Sequence, residues 1–272
     1  MSSKAYLNSL AGIFILLFLL CISGCSKTRK DGPSTANTTH TTTPEKFVNT
    51  DVMFWLTKAD STIRFKRQNV ALNFATSGTA SNTIAVDSTQ TYQTIDGFGF
   101  ALTGGSAYLI NRLTEASRNN LLQELFASDS TFIGTSYLRI SIGSSDLNSS
   151  VFSYDNIDPN STDMNLTSFD ITPDTYDLIP VLQSILAINP NIKILGSPWS
   201  APAWMKTNKN SVGGSLKPEY YGVYANYFVK YLQAMKANGI TLDAITVQNE
   251  PEYGGNNPSM VMSATEQADF VK

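Results

Sequence analysis

The chain has 272 residues, and its contents of 42% hydrophobic and 15% charged residues are typical of a globular protein. A formal net charge of −3 argues against binding to nucleic acid, which requires a basic surface. Cys21, Cys25 and the only histidine, His40, all lie near the N-terminus. Histidine-based triads, histidine-ligated zinc and thiolate chemistry are therefore excluded from the rest of the chain, which leaves carboxylates as candidate catalytic groups. We expect neither a metal nor a cofactor.

Residues 1–24 have the pattern of an export signal. Lys4 precedes the apolar run Ala11–Ile22, which is too short to cross a bilayer but has the length of a signal-peptide core. The run ends in ISGC at 22–25, which resembles the lipobox of bacterial lipoproteins. This implies cleavage before Cys25, acylation of Cys25, and a protein attached to the bacterial cell envelope, periplasmic or surface-exposed, by its lipid alone. A plain signal peptide with an incidental cysteine is the alternative.

Two further segments precede the main domain. Residues 25–46 are rich in Thr, Ser and Pro without apolar periodicity, which predicts a solvated tether. Residues 47–95 favour short strands and are interpreted as a small N-terminal β region. The predicted strands lie at 63–66, 70–74, 83–86 and 91–95.

From residue 96 to residue 272, predicted strands alternate with predicted helices. The strands are Phe98–Thr103, Tyr137–Ile142, Ile192–Ser197 and Ala244–Asn249. The helices begin after Thr114, near Leu178, at Pro218 and near Thr265. Four such units predict an α/β fold with a parallel sheet and right-handed crossovers. Because four strands cannot close an eight-stranded barrel, we expect an incomplete fold.

The most informative short motif is AITVQNEP at 244–251. Its β-branched residues predict a strand, and Pro251 ends that strand because proline cannot continue a ladder. Asn249 and Glu250 are thus expected at the strand's C-terminal tip, where parallel α/β proteins bind ligands. A carboxyl beside an amide that can contact hydroxyls suits a general acid acting on a glycosidic oxygen. The alternative is a solvated glutamate in a turn, which is what we expect of Glu252.

Four motifs in order carry a family resemblance. They are DGFGFA at 96–101, YLRISIGSSD at 137–146, SPWSAPAWMK at 197–206 and VQNEP at 247–251. Together they resemble glycoside hydrolase family 30, which includes glucosylceramidase and microbial β-1,6-glucanase. The resemblance implies a (β/α)8 TIM barrel with a side β-sandwich to which residues 47–95 contribute. It also implies retaining hydrolysis of β-linked glucosides by two glutamates.

The resemblance assigns roles to five residues. Glu250 matches the acid/base and Asn249 the contact to the sugar 2-hydroxyl. Arg139 matches a guanidinium near the nucleophile, Asp146 a sugar-hydroxyl acceptor, and Trp199 an indole that stacks on the sugar ring. Three alternatives stay open: a structural ion pair for Arg139, a loop cap for Asp146, and core burial for the nearby Trp204.

Two departures from the family pattern matter. Leu147 stands where the family usually has an aromatic residue, so the wall of that subsite is expected to differ. The family's nucleophile lies at the tip of the seventh strand, and no residue of this chain can be assigned to it. We therefore expect these 272 residues alone to be inactive and, with unpaired outer strands, poorly folded.

The function predicted for the complete protein is retaining hydrolysis of a β-glucan or β-glucoside, as a glucosylceramidase-like enzyme or an endo-β-1,6-glucanase. Two alternatives are kept. One is a lipoprotein that binds glycans on the same scaffold without catalysis. The other is a β-xyloside or xylan hydrolase of the same family.

Overall fold

The computed structural model describes residues 46–78, 82–129 and 132–272. The predicted export signal, the Cys25 lipidation site and the tether up to residue 45 lie outside these ranges. The described part of the chain divides into two compact units, with the boundary between residues 87 and 88. No helix in the described ranges combines the length and the apolar character needed to cross a membrane.

The first unit contains one small antiparallel pair of strands. Strand β1 (Trp55–Leu56) pairs with strand β2 (Lys66–Arg67), and the guanidinium of Arg67 lies 4.0 Å from the ring centroid of Phe47. The antiparallel pair gives this unit a local β structure. The assignment of residues 47–95 to a side β-sandwich stays a prediction.

Three of the predicted strands in residues 47–95 were wrong, and a fourth is displaced. Segments 70–74, 83–86 and 91–95 have irregular backbone, and the strand predicted at 63–66 is β2, two residues long. The side chains of Phe74, Ile84 and Val86 are each more than 80% exposed. Side chains that are exposed to this extent gain little of the packing on which β propensity depends.

The second unit is built on a four-stranded parallel sheet in the order β3-β4-β5-β6. The strands are β3 (Gly99–Leu102), β4 (Tyr137–Ile142), β5 (Lys193–Pro198) and β6 (Ala244–Ile245). The helices are α1 (Gly104–Asn111), α2 (Glu115–Phe126), α3 (Thr172–Thr175), α4 (Leu178–Ile188), α5 (Tyr221–Ala237) and α6 (Ala264–Phe270). This alternation confirms the predicted α/β class and is consistent with part of a TIM barrel.

The central strands β4 and β5 are fixed by apolar packing. Leu138, Ile140 and Ile142 of β4 are buried, as is Ile194 of β5. A Cβ added at Gly196 would lie 2.8 Å from a Leu242 methyl group and 3.0 Å from an Ile142 methyl group. Glycine is therefore the residue that lets these layers approach each other, and β5 stays in register beside β4.

Helix boundaries follow local capping. Thr114 caps α2 by accepting a hydrogen bond from the Ser117 amide, and Ser263 and Glu266 form a reciprocal capping box at α6. Helix α1 was not predicted, because its Gly104-Gly105 start has low helix propensity. Its cap is Thr103, which accepts from the Ser106 amide.

The tyrosine stripe of α5 belongs to the core. Tyr224, Tyr227 and Tyr231 are almost fully buried, and the Tyr231 ring stacks on Tyr154 at a centroid distance of 5.1 Å. Through this stripe, α5 packs into the core of the unit.

The fourth predicted strand was too long. It was predicted as Ala244–Asn249, but β6 ends at Ile245. The chain beyond β6 still follows β5, because the Thr246 amide donates to the Gly196 carbonyl at 2.9 Å and the Asn249 amide donates to Pro198 at 2.8 Å. These separate contacts lack a continuous ladder, yet they bring Asn249 to the C-terminal tip of β5.

Candidate active site

Side chains from two strands and the segment after β6 meet at the C-terminal edge of the sheet. Arg139 extends from β4, and its Nη2 donates to Ser197 Oγ at 2.8 Å and to Asn249 Oδ1 at 2.7 Å. Ser197 Oγ also lies 2.6 Å from Thr246 Oγ1. Arg139, which is predicted to lie near a nucleophile, is thus joined directly to Asn249, which is predicted to contact the sugar.

The guanidinium of Arg139 is a half-buried positive charge. Burial lowers its pKa below the usual arginine value, and the negative charge of Glu250 acts in the opposite direction. Among the residues that the structure describes, no aspartate or glutamate forms a salt bridge with Arg139. The alternative, in which Arg139 belongs to a structural ion pair, therefore has no acidic partner among these residues. The guanidinium instead faces the C-terminal edge of the sheet, where parallel α/β proteins bind ligands.

Trp199 and Asp146 are held together next to Arg139. The Arg139 guanidinium carbon lies 4.8 Å from the Trp199 ring centroid, within cation–π range, and Trp199 Nε1 donates to Asp146 Oδ1 at 3.1 Å. Trp199 is only 8% exposed, which limits how much of its ring a sugar could cover. In this loop the Ser145 amide donates to Asn148 Oδ1, whereas the described partner of the Asp146 carboxylate is Trp199.

Gln248 was missed as a functional residue by the sequence reasoning. Its buried Nε2 donates to the Trp199 carbonyl at 2.7 Å and to the Asn249 carbonyl at 2.9 Å. It therefore ties the end of β5 to the segment that carries Asn249. The only sequence signal for Gln248 was its position in the VQNEP motif. That motif does not show that the side-chain amide of Gln248 points into the protein.

Glu250 differs from these residues in being exposed. Its backbone lies in the left-handed region with φ of 44°, and its carbonyl accepts from the Tyr253 amide at 2.9 Å. Its Oε2 accepts from Asn256 Nδ2 at 2.7 Å. Asn256 was also missed, because a contact across a six-residue loop has no sequence pattern. Glu252 is exposed, as expected.

Trp204 and Leu147 answer two questions left open by the sequence. Trp204 is 1% exposed, and its Nε1 donates to Asp155 Oδ2 at 2.8 Å, so it belongs to the core. Leu147 is exposed and lines a cavity of about 1010 Å³ that also borders Asp146. Glu250 does not line this cavity. Arg139 and Asn249 do not line it either.

Comparisons with known proteins agree with this architecture. Residues 95–272 match the model of the glycosyl hydrolase family 30 TIM-barrel domain. An endo-1,6-β-D-glucanase of Neurospora crassa is 38% identical over 188 residues, which cover 66% of this chain and 38% of that protein. The lysosomal acid glucosylceramidase of Mus musculus is 34% identical over 170 residues, which cover 60% of this chain and 32% of that protein.

A solved structure gives the same result. The structure of the endo-β1,6-glucanase BT3312 is 38% identical and superposes with a TM-score of 0.69, covering 82% of this chain and 48% of that one. The chain spans less than half the length of each of these three proteins. With the family model matched over more than half of its residues, the chain belongs to glycoside hydrolase family 30.

Proposed function

We propose that the protein containing this chain is a retaining glycosidase for β-linked glucosides, with β-1,6-glucan, cleaved at internal linkages, as the foremost substrate. The observation that carries the proposal is the convergence of Arg139, Asn249 and Glu250 at one edge of the sheet. The choice of glucan rests on the two endo-β-1,6-glucanases to which the chain is 38% identical.

Each of the three side chains has a chemical task in this reaction. Glu250 protonates the leaving oxygen and later deprotonates the water that releases the glycosyl-enzyme. Because Asn249 Oδ1 accepts from Arg139, its Nδ2 hydrogens face away from the guanidinium and can donate to the sugar 2-hydroxyl. The positive charge of Arg139 keeps a neighbouring carboxylate ionised and nucleophilic.

The nucleophile is proposed to come from a glutamate outside these 272 residues. In a retaining enzyme that carboxyl stands about 5–5.5 Å from the acid/base. It would approach Glu250 from the side of Arg139, whose charge acts on Glu250.

The test is Glu250→Ala in the protein that contains this chain. Loss of a general acid costs about 10²- to 10⁴-fold in rate, and much less when the leaving group needs no proton. Hydrolysis of β-1,6-glucan should nearly cease, while the glycosylation step with dinitrophenyl β-glucoside should persist and added azide should yield the β-glucosyl azide. Glu252→Ala, an exposed carboxylate two residues away, serves as the matched control and should keep full activity. Equal loss on both substrates with no azide product would refute the role of Glu250.

We also propose that Cys25 is the lipidated N-terminus of an exported protein, because it directly follows the apolar run and the small residues Ser23 and Gly24. Cells fed a clickable palmitate analogue should label the wild type and Cys21→Ala, but not Cys25→Ala. Cys21 is the matched control, since it is the other cysteine of the same segment. Labelling of the Cys25→Ala variant would show that no anchor forms at this residue.

A further inference from the structure

Lys206 is a fully buried lysine whose neighbours are neutral. It follows the 3-10 turn Ala203–Met205 and is 0% exposed. Its Nζ donates to Ser200 Oγ at 2.9 Å, to the Ser211 carbonyl at 3.1 Å and to the Ser259 carbonyl at 2.6 Å. In the ranges that the structure describes, no aspartate or glutamate forms an ion pair with it. An unpaired buried charge is costly, so this arrangement calls for an explanation.

The three partners of Lys206 match an ammonium group. Two are backbone carbonyls, which can only accept, and Ser200 Oγ gives its own hydrogen to the Ala201 carbonyl at 2.9 Å. An ammonium has three N–H groups for three acceptors, whereas a neutral amine has two. Burial lowers the pKa of Lys206 to about 7. The three hydrogen bonds act against that cost by favouring the charged form.

The Lys206 contacts join two loops, 206–216 and 250–262. The second loop is held against the first by the Ser259 amide, which donates to the Ser211 carbonyl at 2.9 Å, and by the Gly213 amide, which donates to Ser259 Oγ at 2.9 Å. Ser211 Oγ lies 2.8 Å from Asn257 Oδ1. Lys206 Nζ lies under this junction and contacts both loops through Ser211 and Ser259.

The loop fixed in this way carries Glu250. It is closed by the Met262 amide, which donates to the Pro251 carbonyl at 2.8 Å. Asn256, next to Asn257, donates to the Glu250 carboxylate. Glu250 is exposed and has a left-handed backbone, so its orientation depends on the loop that follows it. A shift at Ser259 would reach Glu250 through Asn257 and Asn256.

We propose that Lys206 is a positioning residue for general acid catalysis: by fixing Ser259 and Ser211 it holds the 250–262 loop so that Asn256 orients the Glu250 carboxyl toward the leaving oxygen. This inference rests on the proposed function. Lys206 does not touch substrate, and its effect is confined to the step in which Glu250 transfers a proton.

The test is Lys206→Met, which keeps the length of the apolar stem and removes the ammonium. A misplacement of about 1 Å at a reacting group can cost roughly 10²-fold, so we expect kcat on β-1,6-glucan to fall by about 10- to 100-fold with KM little changed. Glycosylation by dinitrophenyl β-glucoside, whose leaving group needs no proton, should change less than about two-fold.

The ratio of the two rates is the decisive readout, because it does not depend on how much of a variant is folded. Lys206→Gln, which retains two N–H donors, should give an intermediate ratio. Lys217→Met is the matched control. Lys217 is a half-buried lysine of the adjoining segment whose Nζ lies 5.6 Å from the Tyr220 ring centroid, and its loss should leave the ratio at the wild-type value.

The outcomes separate the inference from the function on which it rests. If both Lys206 variants lose activity equally on the two substrates, Lys206 is merely structural and the inference is overturned. If Glu250→Ala itself shows no preference between the substrates, the proposed function fails first, and the inference falls with it. A selective loss in Glu250→Ala and Lys206→Met, absent in Lys217→Met, supports both.

Discussion

Asn249 and Glu250 are neighbours in the chain but are held by different parts of the molecule. The amide of Asn249 is bonded to Arg139 and its backbone to Pro198, so it belongs to the strand-tip region formed by β4 and β5. Glu250 is exposed and depends on Asn256, so it belongs to the loop region 250–262. Under the proposed function, sugar binding depends on the strand-tip region and proton transfer on the loop region, so substitutions in the two regions should produce different kinetic signatures.

Among substitutions other than Glu250→Ala, the largest effect is expected in the strand-tip region, with Arg139→Met. This change removes two hydrogen bonds from a charged donor, each worth about 1.5–3 kcal/mol, so we expect kcat/KM to fall by about 100-fold or more. Because Arg139 acts on the sugar-binding side, the loss should be equal for β-1,6-glucan and dinitrophenyl β-glucoside. Arg112→Met, which breaks an exposed ion pair with Asp177, is the control and should have little effect.

A loss confined to glucan would contradict the comparison between the two regions. It would mean that Arg139 serves the proton-transfer step, and that the strand tips and the loop act as one unit.

A smaller effect is expected in the loop region, with Asn256→Ala. It removes the hydrogen bond to the Glu250 carboxylate, and the rate on glucan should fall by about five- to ten-fold while the dinitrophenyl substrate is spared. Asn256→Asp places a second carboxylate against Glu250, so its loss on glucan at neutral pH should exceed that of the alanine variant. An aspartate variant as active as the wild type would show that Asn256 does not orient Glu250.

The smallest effect on activity is expected from Asp174→Asn, which lies in neither region. Burial raises the pKa of Asp174 from its usual value of 3.8 to about 7, and Tyr154 donates to its Oδ2 at 2.5 Å. Between pH 4 and pH 7 the folded state therefore binds more protons than the unfolded state. The free energy of unfolding should fall as the pH rises through this window, by at most about 1.4 kcal/mol per pH unit from this one group.

Urea unfolding at several pH values checks this. Asp174→Asn should lack the slope between pH 4 and pH 7, and Asp170→Asn, at an exposed neighbour whose pKa is lowered by hydrogen bonds from Thr172, should retain it. Parallel pH profiles for the wild type and Asp174→Asn would show that Asp174 does not titrate in this range. Activity should be unchanged in both variants.

Local sequence patterns correctly predicted those strands and helices whose intrinsic secondary-structure propensity agrees with their packing in the core. Strand Tyr137–Ile142 has the predicted bounds and helix α4 begins at Leu178 as predicted, because their apolar runs coincide with the buried core. Helix α1 was missed since its stability comes from packing and the Thr103 cap, which outweigh the cost of two glycines. The strands predicted at 70–74, 83–86 and 91–95 failed for the opposite reason: their large apolar side chains are exposed, so their β propensity is not supported by packing.

The residues of the candidate site also divide into those that local sequence patterns predicted and those that they did not. Asp146, Trp199, Asn249 and Glu250 could be predicted because they lie in motifs at or just beyond the end of a predicted strand, and Arg139 because it lies in the motif of strand Tyr137–Ile142. Gln248, Asn256 and Lys206 were missed as functional groups because their importance comes from contacts made in the folded chain. Lys206 and Ser259 are 53 positions apart, and no local pattern connects them.

At position 250, the left-handed backbone conformation makes the residue proposed for catalysis unfavourable for stability. A residue with a Cβ is strained there by roughly 1–2 kcal/mol, whereas glycine is not. Replacing the whole side chain by a hydrogen, as in Glu250→Gly, would therefore relieve strain while it removes the proposed acid/base, so the inactive variant is expected to be the more stable protein. Selection or design for stability alone should therefore disfavour glutamate at position 250, and only selection for activity would retain it.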